Sequence, residues 1–187
     1  MHVLVTGGAG FVGSHLVDLL VARGHTVSVF DNLSSGRENF LAHHGESVCL
    51  IEADLLDLDA VKEAMDGVDM VYHLAANPDI RLGTRVTDTD LKQGTIATYN
   101  VLEAMRIAGV KKIAFSSSSV VYGEAKEMPT PENYGPLLPI SLYGASKLGS
   151  EALITSWVGT FELQAWLFRF ANIVGARGTR ARTRGAS

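Results

Sequence analysis

Cysteine is nearly absent from this chain, since Cys49 is the only one among 187 residues. A single cysteine excludes an internal disulfide, and its position in the apolar run of residues 48–51 predicts a buried strand thiol. This usage fits a reducing compartment. Long apolar runs are also missing, because none approaches the roughly 18 residues that a membrane span needs. The N-terminus starts with a strand pattern rather than a signal peptide. We therefore expect no membrane partner and a cytoplasmic location.

Excess charge of either sign is missing from most of the chain. The formal net charge is −4, which gives no global reason to expect nucleic acid as a partner. The exception is the last part of the sequence, where four arginines occur from residue 177 onward without any large apolar side chain. We expect residues 176–187 to form a basic, disordered tail, separate from a domain over residues 1–175. A nucleic-acid-binding arm is the alternative for this tail.

Metal-ligand patterns are the third absence. The chain has six histidines, and the adjacent pair His43 and His44 falls in a polar loop. We expect these two rings to point apart, without a cysteine or carboxylate beside them. The sequence therefore predicts no metal site.

Short β-rich apolar runs alternate with longer segments of helical periodicity. The predicted strands are residues 3–6, 26–30, 48–52, 70–73, 112–116 and 164–170; the predicted helices are residues 11–23, 57–65, 86–108 and 142–160. Strands that are apolar along their length and are separated by helices indicate a parallel sheet covered on both faces. The predicted fold class is α/β, a doubly wound parallel (Rossmann) sheet that binds ligands at the carboxyl ends of its strands.

A glycine-rich turn directly follows the first predicted strand and opens the first helix. Gly7, Gly10 and Gly13 are spaced three apart, with Phe11 and Val12 between the last two. Glycines at this place allow a tight turn, while the free N–H groups of the helix start attract a pyrophosphate. A plain tight turn would give the same letters, but the strand–turn–helix context is the one that dinucleotide binding requires.

Acidic residues at the ends of the next two strands extend this pattern. Asp31, followed by Asn32, lies where a carboxylate accepts hydrogen bonds from the adenosine ribose and repels a 2′-phosphate, which favours NAD over NADP. A turn acid is the alternative for Asp31. Asp54 and Leu55 follow the third strand, where Asp54 could reach the adenine or equally cap the next helix.

A phenol and an ammonium stand four residues apart at Tyr143 and Lys147, on one face of a predicted helix. The cation and a positively charged nicotinamide would both lower the pKa of Tyr143 toward that of a usable base. Such spacing alone is typical of a solvated helix face. The run of four serines at residues 116–119 favours the catalytic reading, because it follows a buried strand at the ligand-binding edge of the sheet.

With these motifs together, the sequence resembles the extended short-chain dehydrogenase/reductase family and, within it, the UDP-glucose 4-epimerase branch of the NAD-dependent epimerases and dehydratases. The matching segments are residues 6–13, 31–36, 54–55, 73–76, 116–123, 143–147 and 169–172. The resemblance implies NAD as cofactor, a nucleotide sugar of the UDP-hexose type as substrate, and a homodimer formed by the two long helices.

The same resemblance implies a role for each matched position. Tyr143 is the expected catalytic base, Lys147 its activator and nicotinamide-ribose ligand, and Ser118 the hydroxyl that bonds the reacting sugar oxygen. Leu74 and Ala75 join the cofactor contacts, and Asn172 is expected near the phosphate-bearing part of the substrate. The implied reaction removes the proton of the sugar 4-hydroxyl while C4 gives up hydride, and later returns hydride to the other face.

Departures from the family pattern define the alternatives. Ser119 and Val120 stand where the family's dehydratases and decarboxylases carry acids, which favours epimerisation. Gly94 replaces an asparagine that helps to position the catalytic lysine. The sequence also stops where family members continue into a substrate-binding lobe, so we expect that lobe to be largely absent. The alternative function is an NAD-binding remnant or a simple NAD-dependent oxidoreductase with little epimerase turnover.

Overall fold

Six strands and four α-helices are the main regular elements in the part of the chain that this computed structural model describes, which is residues 1–77, 79 and 82–178. The strands are β1 His2–Thr6, β2 Thr26–Asp31, β3 Val48–Glu52, β4 Met70–His73, β5 Lys112–Ser118 and β6 Gln164–Phe170; the helices are α1 Phe11–Ala22, α2 Leu58–Glu63, α3 Ala97–Ala108 and α4 Leu142–Phe161. Residues 179–187, most of the predicted tail, lie outside the described residues.

The six strands pair in parallel in the spatial order β3-β2-β1-β4-β5-β6. The strand order reverses between β1 and β4, which creates the crevice at which doubly wound sheets bind dinucleotides. In the central strand β1, Val3, Leu4 and Val5 are all fully buried. Successive side chains of a strand point to opposite faces, so these three residues pack into two core clusters, one on each face. The predicted doubly wound fold is confirmed, and the described residues contain no second lobe.

Strand boundaries agree closely with the sequence prediction, but the long helix of residues 86–108 does not form as one α-helix. Its helical backbone begins at Thr89, and Leu91–Ile96 forms a π-helix before α3 starts. Gly94 lies within this wider turn, where glycine and the β-branched Thr95 both weaken the α-helical preference.

The prediction of a buried Cys49 was wrong: the residue is exposed, because β3 is the edge strand of the sheet.

The expectation that His43 and His44 point apart was also wrong. Both Nε2 atoms lie within hydrogen-bond distance of the same Asp18 carboxylate oxygen on α1, at 2.9 and 2.8 Å. A short, kinked 3₁₀ segment over Ala42–Ser47 carries both histidines on the side that faces α1. Asp18 also pairs with Arg177 at 2.9 Å.

None of the helices among the described residues combines the length and the hydropathy that a membrane span requires.

Candidate active site

The carboxyl ends of β1, β2, β4 and β5 open onto one cavity of about 700 Å³. From Asp31 on β2 to Ser118 on β5 the cavity crosses three strand spacings, which is about 14 Å. Of the predicted site residues, those that line it are Gly7, Gly10, Phe11, Val12, Gly13, Asp31, Asn32, Leu55, Leu74, Ala75, Ser118, Tyr143 and Lys147. The cavity therefore brings the glycine turn and the Ser/Tyr/Lys set into one space, whereas Asp54 and Asn172 do not line it.

The glycine turn packs too closely for any side chain at two of its positions. Gly7 has φ +71°, and a Cβ there would lie 2.7 Å from the Ala75 amide nitrogen. A Cβ at Gly13 would collide with the carbonyl oxygen of Gly7, so α1 can approach β1 only with glycine at this place. No side chain caps the start of α1, and its first turn contains no acid. Its N–H groups and positive dipole are thus available to an anion at the cavity wall.

Asp31 is held rigidly at the end of β2. Its carboxylate is 8% exposed and accepts hydrogen bonds from the backbone N–H of Ala9 at 3.0 Å and of Leu33 at 2.9 Å. These two bonds fix the direction in which the carboxylate faces the cavity. A carboxylate at this place suits a ribose diol and repels a phosphate.

Asp54 stands behind the cavity wall rather than in it. Its carboxylate accepts from the Asn32 amide at 2.9 Å, from the Leu56 backbone N–H at 2.9 Å and from Gln93 at 3.3 Å. Burial raises the pKa of Asp54, but these three hydrogen bonds outweigh burial and leave the pKa below its usual value. Asp54 therefore orients Asn32 and Gln93, which both line the cavity. It does not act as the cap of α2, because Asp57 accepts from the first N–H groups of that helix.

Lys147 is 2% exposed and directs its ammonium group at the carboxyl end of β5. Its Nζ donates to the Ser116 carbonyl at 2.7 Å and lies 4.7 Å from the centroid of the Phe115 ring. Burial lowers the pKa of Lys147 to about 8, although the Glu151 carboxylate works in the opposite direction. Ser118, the last residue of β5, turns the chain and accepts from the Val120 N–H at 3.4 Å.

The pKa of Tyr143 moves upward, contrary to the sequence prediction. Burial raises it first, and the nearby Asp90 carboxylate raises it further. The Lys147 ammonium lies 5.7 Å from the centroid of the Tyr143 ring and is turned toward Ser116. Lys147 alone therefore does not make Tyr143 a base at neutral pH, and a further positive charge near the phenol is needed to do so.

A buried ion pair beneath the site was missed by the sequence analysis. Glu151, which is 5% exposed, accepts from Arg169 on β6 at 3.0 and 2.8 Å and from the Ser117 hydroxyl at 2.5 Å. The Arg169 guanidinium also covers the Tyr122 ring at 4.9 Å. Glu151 lies one helical turn after Lys147 on α4, and this spacing was the sequence signal that could have placed Glu151 near the site. The network holds β5, β6 and α4 together directly under Ser118 and Lys147.

Gly94, the expected weak point, is packed against α4. A Cβ at Gly94 would lie 2.5 Å from the Ser146 Oγ and 3.0 Å from its Cβ. A side chain at this position would require the Ser146 side chain to shift. The Gly94 carbonyl is instead used as an acceptor by Thr98 at 2.8 Å. Thr98 also bonds His73 at 3.0 Å, whose pKa is lowered to about 3 by burial and by Lys147, so this histidine is neutral and structural.

Asn172, the predicted substrate residue, is exposed after the end of β6. Its neighbours Ala171 and Ile173 line the cavity, but Asn172 does not. The segment that follows passes back over α1, where the Ala176 carbonyl lies 2.8 Å from His15 Nε2.

Comparison with known proteins agrees with this geometry. The model of the NAD dependent epimerase/dehydratase family matches residues 3–186. The UDP-glucose 4-epimerase of Corynebacterium glutamicum is 34% identical over 178 residues, which cover 95% of this chain and 53% of that protein. A crystal structure of a UDP-galactose 4-epimerase superposes with a TM-score of 0.87 at 45% identity, covering 95% of this chain and 58% of that one.

A third relative is the UDP-glucose 4-epimerase of Thermus thermophilus, whose crystal structure is a complex with NAD. It superposes with a TM-score of 0.84 at 35% identity and covers 90% of this chain and 54% of that one. The chain thus spans a little more than half the length of the relatives that it matches. It belongs to the NAD dependent epimerase/dehydratase family, whose description names the same cofactor that the glycine turn and Asp31 predict.

Proposed function

We propose that this chain binds NAD and acts at C4 of a UDP-hexose, as a nucleotide-sugar 4-epimerase of the UDP-glucose/UDP-galactose type. The observation that carries the proposal is the single cavity that joins the glycine turn and Asp31 to Ser118, Tyr143 and Lys147. Its matches with proteins named UDP-glucose and UDP-galactose 4-epimerase support this choice of substrate class.

The residues of the cavity fit a dinucleotide from end to end. The uncapped start of α1 suits the pyrophosphate, and the Asp31 carboxylate suits the hydroxyls of the adenosine ribose. Asn32, held by Asp54, and Leu55 form the wall at the adenosine end. Lys147 lies at the other end, where its ammonium can donate to the hydroxyls of the nicotinamide ribose. When bound there, NAD supplies a reversible acceptor and donor of hydride.

The chain's own part in the reaction is to move one proton and hold one oxygen. Tyr143 as phenolate removes the proton of the sugar 4-hydroxyl while hydride leaves C4, and it returns that proton when hydride comes back to the opposite face. Ser118 donates a hydrogen bond to the same sugar oxygen and stabilises the negative charge that develops on it. The pKa of Tyr143 is raised, so the phenol would lose its proton more readily once a cationic oxidised nicotinamide is bound in the cavity. Base strength is thereby coupled to the presence of the oxidised cofactor.

An NAD-binding module with little turnover is the second candidate. It is favoured by one observation, that Lys147 directs its ammonium group to the Ser116 carbonyl while burial raises the pKa of Tyr143. The phenol then lacks a strong activator among the described residues.

Assaying the purified chain separates the two candidates. We expect conversion of UDP-galactose to UDP-glucose in the presence of NAD⁺, with turnover abolished in Tyr143→Phe, which removes only the phenolic oxygen. Titration with NAD⁺ and NADP⁺ should show preference for NAD⁺ in both proteins. Preserved NAD⁺ binding without turnover above the Tyr143→Phe control would exclude the epimerase and leave the binding module.

The homodimer and the cytoplasmic location stay predictions. Exposed apolar side chains on and before the two long helices support a dimer, among them Ile96, Tyr99, Ile107 and Val158, which are 38–53% exposed. Burying such residues against a second copy would remove apolar surface from water. Measuring the mass of the native particle, with a Tyr99→Lys variant for comparison, tests this expectation.

A further inference from the structure

A group of three metal-ligating side chains lies outside the cavity, where α1 meets the segment between β2 and β3. Among the described residues, Asp18, His43 and His44 bring one ligand atom each to within 4.8 Å of one another. The two imidazole rings are 4.0 Å apart between centroids and inclined by 39°. Both Nε2 atoms approach the same oxygen, Asp18 Oδ1. The proposed reaction at Tyr143 uses none of these groups.

From this geometry we propose that Asp18, His43 and His44 form a binding site for a divalent transition-metal ion of the zinc class. Imidazole and carboxylate ligands together suit Zn²⁺, and three protein ligands with water in the fourth position are sufficient for it. At zinc–ligand bonds of 2.0–2.2 Å, the ligand atoms of a tetrahedral site lie about 3.3 Å apart. The nitrogen–oxygen distances here are 2.9 and 2.8 Å, so the side chains need to separate by only about 0.5 Å to admit the ion.

The surroundings hold the three side chains in this arrangement. The His44 side chain is 9% exposed, whereas that of His43 is 51% exposed, so one ring is fixed and the other can adjust. The Arg177 guanidinium pairs with the second oxygen of Asp18 at 2.9 Å, which leaves Oδ1 to face the histidines.

An ion at this place would tie α1 to the segment that walls the adenosine end of the cavity. The histidines follow shortly after Arg37 and Phe40, and these two residues line the cavity. Arg177 bridges the two regions, because its guanidinium also lies 5.7 Å from the centroid of the Phe40 ring. Since metal binds only the folded arrangement of these side chains, it should raise the thermal stability of the chain.

Calorimetric titration of the untagged chain with ZnCl₂, in a buffer that does not chelate zinc, tests the site. We expect saturable binding of one ion per chain, loss of that binding in His44→Gln and Asp18→Asn, and no change in His25→Gln, a matched histidine outside the group. A second readout uses Co²⁺, which absorbs strongly in the visible range when four-coordinate. That band should appear with wild type and His25→Gln and be lost in His43→Gln.

His43→Gln alters a half-exposed side chain and should fold normally, so the test does not depend on variants of the more buried residues. Thermal unfolding gives a third measure, with a rise in Tm on adding Zn²⁺ to wild type that His43→Gln lacks. Absence of saturable zinc binding, or a binding curve that is the same in wild type and His43→Gln, would overturn the proposal.

Discussion

Replacing Lys147 by methionine should abolish turnover and yet make the chain more stable at neutral pH. Lys147 is 2% exposed, and burial lowers its pKa from 10.5 to about 8. This change corresponds to about 3 kcal/mol of unfavourable free energy in the folded state whenever the side chain is charged. Methionine has a similar length and no charge, so it removes that cost.

The net gain is smaller because the Ser116 carbonyl loses the partner that now donates to it at 2.7 Å. Because that hydrogen bond is only partly buried, losing it costs about 1 kcal/mol, which leaves a gain in unfolding free energy of about 2 kcal/mol. For a domain of this size, each kcal/mol shifts Tm by about 2–4 °C. We therefore expect Tm to rise by about 4–8 °C at pH 7.

The gain should disappear with rising pH. Below pH 8 the folded and unfolded states both hold the Lys147 proton, and the full cost of burial applies. Between about 8 and 10.5 the unfolded chain keeps a proton that the folded wild type has released, so wild-type stability rises with pH relative to the variant. Unfolding curves of both proteins at pH values from 7 to 10 measure this difference directly.

Lys112→Met, which changes an exposed lysine at the start of β5, serves as the control and should show no comparable pH-dependent difference. A Lys147→Met variant that is less stable than wild type at pH 7, or whose difference from wild type stays constant up to pH 10, would refute the reasoning. The cost of burying the ammonium would then be compensated by contacts that the pKa does not reflect.

Three further changes test other parts of the site. Glu151→Gln should lower the unfolding free energy by about 2–3 kcal/mol, at the low end for a broken buried pair because the Arg169 side chain is 24% exposed. Denaturant unfolding measures this loss. If Glu151→Gln costs no more stability in the wild-type chain than in an Arg169→Met background, the two side chains do not stabilise each other. Asp31→Asn should weaken NAD⁺ binding at least tenfold and reduce the preference over NADP⁺, because it removes the charge that suits the ribose diol; unchanged affinities in a fluorescence titration would count against that role. Asp90→Asn should lower the pKa of Tyr143 toward its ordinary value. Tyrosinate absorbance during a pH titration measures this pKa, with Tyr143→Phe as the blank. The same titration curve in wild type and Asp90→Asn would show that Asp90 has no influence.

The sequence was most informative where one contiguous segment carries the whole signal. Alternating β-rich and helical periods predicted all six strands within two residues at each end, since burial on both faces of a parallel sheet requires apolar strands. The turn from Gly7 to Gly13 was recognisable because close backbone packing at Gly7 and Gly13 excludes a side chain at those two positions. The helix of residues 86–108 was less predictable, because its apolar spacing does not distinguish an α-helix from the π-helix that Leu91–Ile96 forms.

In the candidate site, too, only contacts between residues close together in the sequence were predictable. Tyr143 and Lys147 share a helix face, so their proximity follows from spacing alone. The Glu151–Arg169 pair forms only because β6 pairs in parallel with β5, and no local sequence pattern indicates that Arg169 lies opposite α4. The pKa of Tyr143 rises first because the phenol is buried and further because Asp90, 53 positions earlier in the chain, lies nearby; sequence spacing alone could not show either effect.

What the sequence by itself determined is the class of fold, the dinucleotide turn and the identity of the chemical groups, since these depend on residue type and on neighbours within a few positions. Only the tertiary structure decided which distant groups meet, such as the two histidines with Asp18, and which way burial moves a pKa. Electrostatic energies depend on distance and solvent exposure in space, and both are set by strand order and helix packing rather than by separation along the chain.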